Sequence, residues 1–201
     1  FSKELETKIF DVDFEEVLSK IIDVLPVSHS YDANITDVYY DTKDLDFRLW
    51  EFTNGKKTSL RIRRKRLLWK DWIQTYCTIK REDPDNTYED LKNVFELEFL
   101  LQYPNLFVDI IRFAWLWNYK SKNKDRSSFN LETVTLDFDT YEIDKNNLIL
   151  PKKNWVEKID VLEIETPNEA YLKYVLKTLW LLDNKRSKVW FWEMFKRYWY
   201  E

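Results

Sequence analysis

The sequence predicts an α+β protein built on a mostly antiparallel sheet, either open or closed into a barrel. Three observations predict it. Segments that alternate with a period of two outnumber segments with a helical stripe. They follow one another at hairpin-like spacing. On most of them one face is charged while the other is apolar. At 201 residues, against a prior of roughly 150 per domain, a single domain over residues 1–201 is expected. No internal repeat or interdomain linker divides it.

The elements follow in order. Glu4 to Ile9 alternates and reads as a strand. Asp13 to Val24 carries Phe14, Val17, Leu18, Ile21 and Ile22 at helical spacing, with Asp13 and Glu16 placed as a capping box and Pro26 beyond the end. Asn34 to Thr42 is β-branched and aromatic, hence a strand. A short strand or turn is expected at Leu45 to Phe52, then a hairpin turn at Asn54-Gly55. Strands are expected at Ser59 to Arg66, Trp72 to Arg81 and Val94 to Leu100, with a loop from Glu82 to Asp90. Pro104 to Asn118 reads as a helix and Lys120 to Ser128 as a polar turn. Strands follow at Ser128 to Leu136, extending to Tyr141, and at Lys158 to Thr166. Asn168 to Leu182 is helical, and an aromatic helix over Ser187 to Tyr200 is expected to pack on the outside of the sheet or over a tunnel mouth.

Composition excludes several chemistries. A single glycine, Gly55, leaves no room for a Walker loop or a dinucleotide fingerprint. Any phosphate must be held by side-chain cations. One cysteine, Cys77, excludes an internal disulfide and a cysteine zinc site, and it reads as a packed hydrophobe. The lone His29 reads as a loop histidine. A net charge of −4 argues against a general nucleic-acid binder, so no DNA partner is expected. No run of about 20 apolar residues appears. The expectation is a cytoplasmic protein without a membrane partner, as a monomer or homodimer.

The charged strand faces carry the functional information. Glu4, Glu6 and Lys8 share one face, as do Arg61, Arg63 and Lys65. Lys80 lies on a face with Thr78, Tyr76 and Gln74. Glu96/Glu98, Asp137/Asp139 and Glu163/Glu165 oppose apolar neighbours on their own strands. An ordinary solvated face would mix Thr, Ser and Gln with isolated acids. Carboxylates at i and i+2 lie only about 7 Å apart and repel unless cations lie between them. All-oxygen clusters suit hard ions such as Mg²⁺ or Mn²⁺, and rows of Arg and Lys suit phosphate. The pattern therefore describes an acidic half for metal and a basic half for a polyanion, with the apolar faces turned outward.

These residues resemble the CYTH superfamily, the triphosphate tunnel metalloenzymes. Glu4-x-Glu6-x-Lys8 resembles the family's N-terminal motif. Asp37-Val-Tyr-Tyr-Asp41-Thr-Lys-Asp-Leu45 resembles a second segment, Leu60-Arg61-Ile62-Arg63 a third, and Thr78-Ile-Lys80-Arg81 a fourth. Lys124 and Arg126, Asp137, Leu162-Glu163-Ile164-Glu165 and Ser187-Lys188 continue the series in order. The resemblance spans residues 3 to 188.

It implies a closed antiparallel barrel of about eight strands forming a polar tunnel, with helices outside. It implies binding of a triphosphate by Lys8, Arg61, Arg63, Lys80, Arg126 and Lys188. It also implies divalent ions held by Glu4, Glu6, Glu163 and Glu165, with Asp137, Glu96 and Glu98 nearby. Lys65 and Asp139, near strand ends, are set outside this strict site. With one divalent ion on the phosphate oxygens, a second metal, or a carboxylate such as Glu6 or Glu165, would orient and activate the attacking water, and Lys8 counts with these two as catalytic. The activity implied is metal-dependent removal of the terminal phosphate from inorganic triphosphate, ATP or thiamine triphosphate. Alternatives are a class IV adenylate cyclase, a nucleoside or RNA 5′-triphosphatase, and an inactive polyphosphate- or nucleotide-binding module. A polyphosphate polymerase is disfavoured by Glu165, where such enzymes tend to carry a basic residue.

Overall fold

The computed structural model describes residues 2–10, 12–40, 58–83, 92–114, 118–142, 158–179 and 186–187. Over these residues the chain forms nine strands and three helices. Strand β1 is Ser2–Phe10, followed by helix α1 (Phe14–Val24) and β2 (Ser28–Tyr40). Strands β3 (Thr58–Leu67), β4 (Trp72–Glu82) and β5 (Lys92–Leu100) come next, then α2 (Pro104–Phe113). The chain continues with β6 (Asn118–Leu131), β7 (Val134–Glu142), β8 (Lys158–Thr166), α3 (Glu169–Thr178) and β9 (Arg186–Ser187).

Alternating side chains give each strand one apolar face, and that face sets the architecture. The strands hydrogen-bond in the order β5-β4-β3-β2-β6-β7-β8-β1-β9, all antiparallel, and β1 also pairs with β5. That last pairing closes an eight-stranded barrel, with β9 an extra edge beside Lys8 and Ile9. The apolar faces point outward under the helices. Ile9, Leu136, Leu162 and Ile164 pack against Ile21 of α1 and Leu172, Val175 and Leu176 of α3. Leu60, Ile62 and Cys77 pack under Ile111 of α2. Each fully buried aliphatic side chain contributes about 1.5–3 kcal/mol, so these two outer clusters anchor the helices and leave the inner faces free for charge.

The helices start where chemistry permits. Asp13 caps α1 by accepting the Glu16 amide at 3.0 Å. Asn168 caps α3 through the Ala170 and Tyr171 amides. Pro104 occupies the first turn of α2.

Some expectations are corrected. Lys120 to Ser128 is no turn: it belongs to the 14-residue strand β6, and the turn falls at Glu132 and Thr133. Both faces of β6 are polar because one meets solvent and the other lines the barrel, so its hydropathy mimics a loop. The helices over Pro104 to Asn118 and Asn168 to Leu182 stop at Phe113 and Thr178. His29 lies in β2, beside Asp32 at 3.1 Å, and not in a loop. Ser187 is in β9. The features expected at Leu45 to Phe52, Asn54-Gly55, most of the Glu82 to Asp90 loop and Lys188 to Tyr200 lie outside the described residues.

Candidate metal and anion site in the barrel

The barrel encloses a lumen of about 330 Å³. That lies within the range of small-molecule sites, roughly 300–1,000 Å³. Strand geometry decides which residues reach it. Around the ring, β4, β3 and β6 contribute Lys80, Arg61, Arg63, Lys122, Lys124 and Arg126, and β2, between β3 and β6, contributes Tyr31, Asp37 and Tyr39. The opposite arc, from β7 through β8 and β1 to β5, contributes Asp137, Glu163, Glu165, Glu4, Glu6, Glu96 and Glu98. Two residues cross this division: Asp37 lies in the basic arc and Lys8 in the acidic one. The remaining lining residues are Tyr, Ser, Thr and Asn; among the described residues no aliphatic side chain lines the lumen.

Register places the acids. Pairing of β1 with β8 sets Glu6 opposite Glu165 and Lys8 opposite Glu163, and β7 sets Asp137 opposite Glu163. Carboxylate oxygens of Glu6, Glu163 and Glu165 lie within 4.8 Å of one another. Lys8 bonds both Glu6, at 2.6 Å, and Glu163. Burial opposes charge on Lys8, yet Glu163 and Glu6 outweigh it and hold its pKa above the usual lysine value. Glu163 is likewise buried, but Lys8, Lys124 and Arg126 hold it well below the usual carboxylate range. Glu165 has the opposite balance. Burial, reinforced by the charge of Glu163, pushes its carboxyl up to about 8. Burial, with the charge of Asp139, also raises Asp137, whose Oδ1 has no hydrogen-bond partner.

This donor set fits a hard divalent cation. It is all oxygen, closely gathered, and in mutual repulsion that a cation would relieve. Glu6, Glu163 and Glu165 are the residues that could hold one, with Glu4 and Asp137 on the same arc.

The basic arc is built around carboxylate braces. Arg63 donates to Asp37 through Nε at 2.8 Å and Nη2 at 3.1 Å, and Arg61 lies 3.6 Å from the same carboxylate. Burial would raise Asp37, but Arg63 and Arg61 depress it far below the ordinary value. Arg126 grips Asp139 with two bonds of 2.6 Å, and it also donates to Asp137 and, at 2.8 Å, to Glu163. Lys124 bonds Asp139 at 2.5 Å. Lys80 reaches Glu96 at 2.5 Å and Glu6 at 3.2 Å. The Arg61 Nε has no partner. Burial lowers Lys122 to about 8, with Lys8 and Arg61 adding to the effect. It lowers Lys124 to about 8 as well, with Arg126 adding. Both ammonium groups carry a burial cost that an anionic ligand in the lumen would ease.

Of the residues singled out by sequence, Glu4, Glu6, Lys8, Arg61, Arg63, Lys80, Glu96, Glu98, Arg126, Asp137, Glu163 and Glu165 all line the lumen. Glu98 is at its exposed edge and accepts from Thr78. Lys188 lies outside the described residues. Asp139, set aside at a strand end, is fully buried in the wall beneath Lys124 and Arg126. Lys65 also turns inward, its ammonium 3.1 Å from the centre of the Tyr31 ring. Sequence reasoning missed Asp37 and Lys122 as lumen residues. For Lys122 a signal existed: Lys120, Lys122, Lys124 and Arg126 recur at a period of two.

Comparison with known proteins agrees with this geometry. The family model for the CYTH domain matches residues 2–183. No curated protein matches the sequence. Among solved structures, the PH1819 protein from Pyrococcus horikoshii OT3 is similar with a TM-score of 0.67 and 19% identity, over 97% of this chain and 99% of that one. The PH1012 protein from the same organism has a TM-score of 0.62 and 20% identity, over 90% and 94%. HpAC1 from Hippeastrum, a proposed adenylyl cyclase described as having a dominant triphosphatase activity, has a TM-score of 0.60 and 13% identity, over 98% and 96%. At such identities the likeness is one of fold.

Proposed function

Because the chain belongs to the CYTH domain family, we propose that it is a divalent-metal-dependent hydrolase that removes the terminal phosphate of a triphosphate, with inorganic triphosphate as the preferred substrate. One observation carries this reading: the lumen is lined by cations on one arc and carboxylates on the other, with no aliphatic side chain among the described residues. A wholly ionic ligand matches such a lining better than one with an organic body.

In this reading Arg61, Arg63, Lys80, Lys122, Lys124 and Arg126 bind and extend the phosphate chain. The guanidinium groups take phosphate oxygens in pairs, and the lysines act as point charges. The unpartnered Arg61 Nε supplies one such donor. Glu6, Glu163 and Glu165 would hold the metal, whose chemistry when bound is to neutralise phosphate oxygens and favour in-line displacement. Glu6 or Glu165, whichever keeps a carboxylate oxygen off the metal, would accept a proton from the attacking water. Lys8, fixed between Glu6 and Glu163, keeps those carboxylates oriented. The enclosing barrel excludes bulk water and strengthens every charge interaction inside.

The test is phosphate release from inorganic triphosphate, ATP, thiamine triphosphate and pyrophosphate, each with Mg²⁺, Mn²⁺ or EDTA, with cyclic AMP followed in the ATP tubes. Metal-dependent release from triphosphate is expected, and Glu6→Gln or Glu165→Gln should lower it by at least about a hundredfold without unfolding the protein. Cyclic AMP as the main product would replace this reading with a cyclase. Tight triphosphate binding without turnover would replace it with a binding module.

A further inference from the structure

The turn joining β3 to β4 places large apolar side chains in water. Leu68 is 57% exposed, Trp69 62%, Trp72 53% and Ile73 48%. A hairpin turn is ordinarily polar, so four such residues within six positions mark an interaction surface. Topology widens the patch. The end of β5 lies beside the start of β4, where the Leu101 amide donates to the Thr75 carbonyl at 2.8 Å. Leu100 and Tyr103, both exposed, are therefore at the same end of the barrel.

Positive charge surrounds this tip. Arg64 and Arg66 are exposed on the outer face of β3, and Lys70 is exposed in the turn with its ammonium 4.2 Å from the centre of the Trp69 ring. The acid within the turn, Asp71, is paired with Arg66 at 2.6 Å. Asp32, whose carbonyl accepts the Leu68 amide, has its carboxylate held by Ser127 and His29. The outer surface from Arg64 to Ile73 thus keeps a positive balance on a chain whose net charge is −4.

We infer that this hairpin tip docks on an anionic lipid surface, with Trp69, Trp72 and Leu68 entering the interface and Arg64, Arg66 and Lys70 meeting headgroup phosphates. The geometry suits that occupant. Register sets Ile73 opposite Arg66 and Trp72 opposite Leu67, so basic and apolar side chains lie side by side at this end of the hairpin, as an anionic interface requires. A second copy is disfavoured because two such tips carry the same charge. The docking is peripheral: among the described residues no helix is long and apolar enough to cross a membrane. It stands apart from the lumen chemistry, since none of these residues lines that cavity.

The experiment is flotation of the full chain with phosphatidylcholine vesicles, with and without about 30 mol % phosphatidylserine. Wild-type protein should float with the anionic vesicles and remain behind with the neutral ones. The Leu68→Ser/Trp69→Ser variant should lose at least about tenfold in partitioning. The Arg64→Gln/Lys70→Gln variant should lose about fivefold for each charge removed. Both should keep the wild-type unfolding temperature and phosphatase rate. Three results would overturn the inference: wild-type protein that floats with neither vesicle or with both equally, a polar-tip variant that floats like wild type, or binding to polyglutamate without binding to anionic vesicles.

Discussion

The ligand-free protein should be least stable near pH 8, and the depth of that minimum can be worked from the lumen. Glu165 has its folded pKa raised from 4.5 to about 8. The folded state therefore holds that proton more tightly, and the resulting stability is complete below about pH 4.5 and lost as the pH climbs through 8. Lys122 and Lys124 have theirs lowered from 10.5 to about 8. Below pH 8 their buried charges weigh on the folded state, and this cost disappears between 8 and 10.5. At 1.36 kcal/mol per pH unit, the glutamate contributes up to about 5 kcal/mol on the acid limb, and each lysine about 3 kcal/mol on the alkaline limb. Groups shifted the other way act elsewhere. Asp37 and Glu163, both depressed, lose their contribution only at acid pH, and Lys8 and Lys80, both raised, only above about 10.5. The assay is urea unfolding in EDTA at half-unit steps from about pH 5 to 10. Glu165→Gln should flatten the acid limb and Lys124→Met should remove about 3 kcal/mol from the alkaline one, leaving the shares of Lys122 and of Lys65, which burial also lowers to about 8, while Mg²⁺ with triphosphate should fill the trough. Stability that falls steadily from pH 7 to 10, or a trough untouched by either substitution, would refute the reasoning.

Two further outcomes concern the arginines. Replacing Arg61 and Arg63 together with Ala should raise KM for triphosphate and lower kcat as well, because both side chains face the lumen; steady-state kinetics at saturating metal checks this, and unchanged constants would place them outside the substrate path. Arg126→Met should destabilise the protein by about 3–5 kcal/mol, since it strands Asp137, Asp139 and Glu163 in a buried wall. Denaturant unfolding at pH 7 measures it, and a loss below about 1 kcal/mol would mean that these acids find other partners.

The inside-out plan was legible because charge alternated with apolar residues on β1, β3, β5, β7 and β8. A charged face is visible in sequence only against a greasy one. Where that contrast fails, the reading fails. In β6, Ser121, Asn123, Asp125 and Ser127 face away from the lumen between Lys122, Lys124 and Arg126, so the strand looks like a loop although its cations keep the period of two. Asp37 was hidden for another reason. It lies among Ile35, Val38 and Tyr39 with no charged neighbour on its own strand, and its partners Arg61 and Arg63 come from β3 through pairing that only the register of β2 with β3 reveals. Asp139 was discounted as a strand end, yet β7 continues to Glu142 and buries it. Apolar contrast marks a face, whereas the partner of a buried charge is a property of register.

Under the proposed function, Asp37 also explains how a tunnel that takes an anion can fold before the anion arrives. Its carboxylate lies between two guanidinium groups that would otherwise be buried with like charge beside like charge. Lys8 does the converse in the acidic arc, between Glu6 and Glu163. Each arc thus carries one counter-charge that stabilises the empty state and competes with the ligand for the same partners. Asp37→Asn should therefore separate the two roles. The empty protein should lose about 3 kcal/mol, because Arg63 loses its carboxylate partner and Arg61 keeps only Glu96, 3.6 Å away. Triphosphate should bind more tightly, since no carboxylate has to share those donors, so the gain in unfolding temperature on adding triphosphate should exceed that of wild type. Thermal unfolding with and without triphosphate, beside calorimetric titration at one salt concentration, measures both quantities. If the variant is as stable as wild type when empty and binds triphosphate more weakly, Asp37 is an orienting brace for bound phosphate and not a stand-in for it.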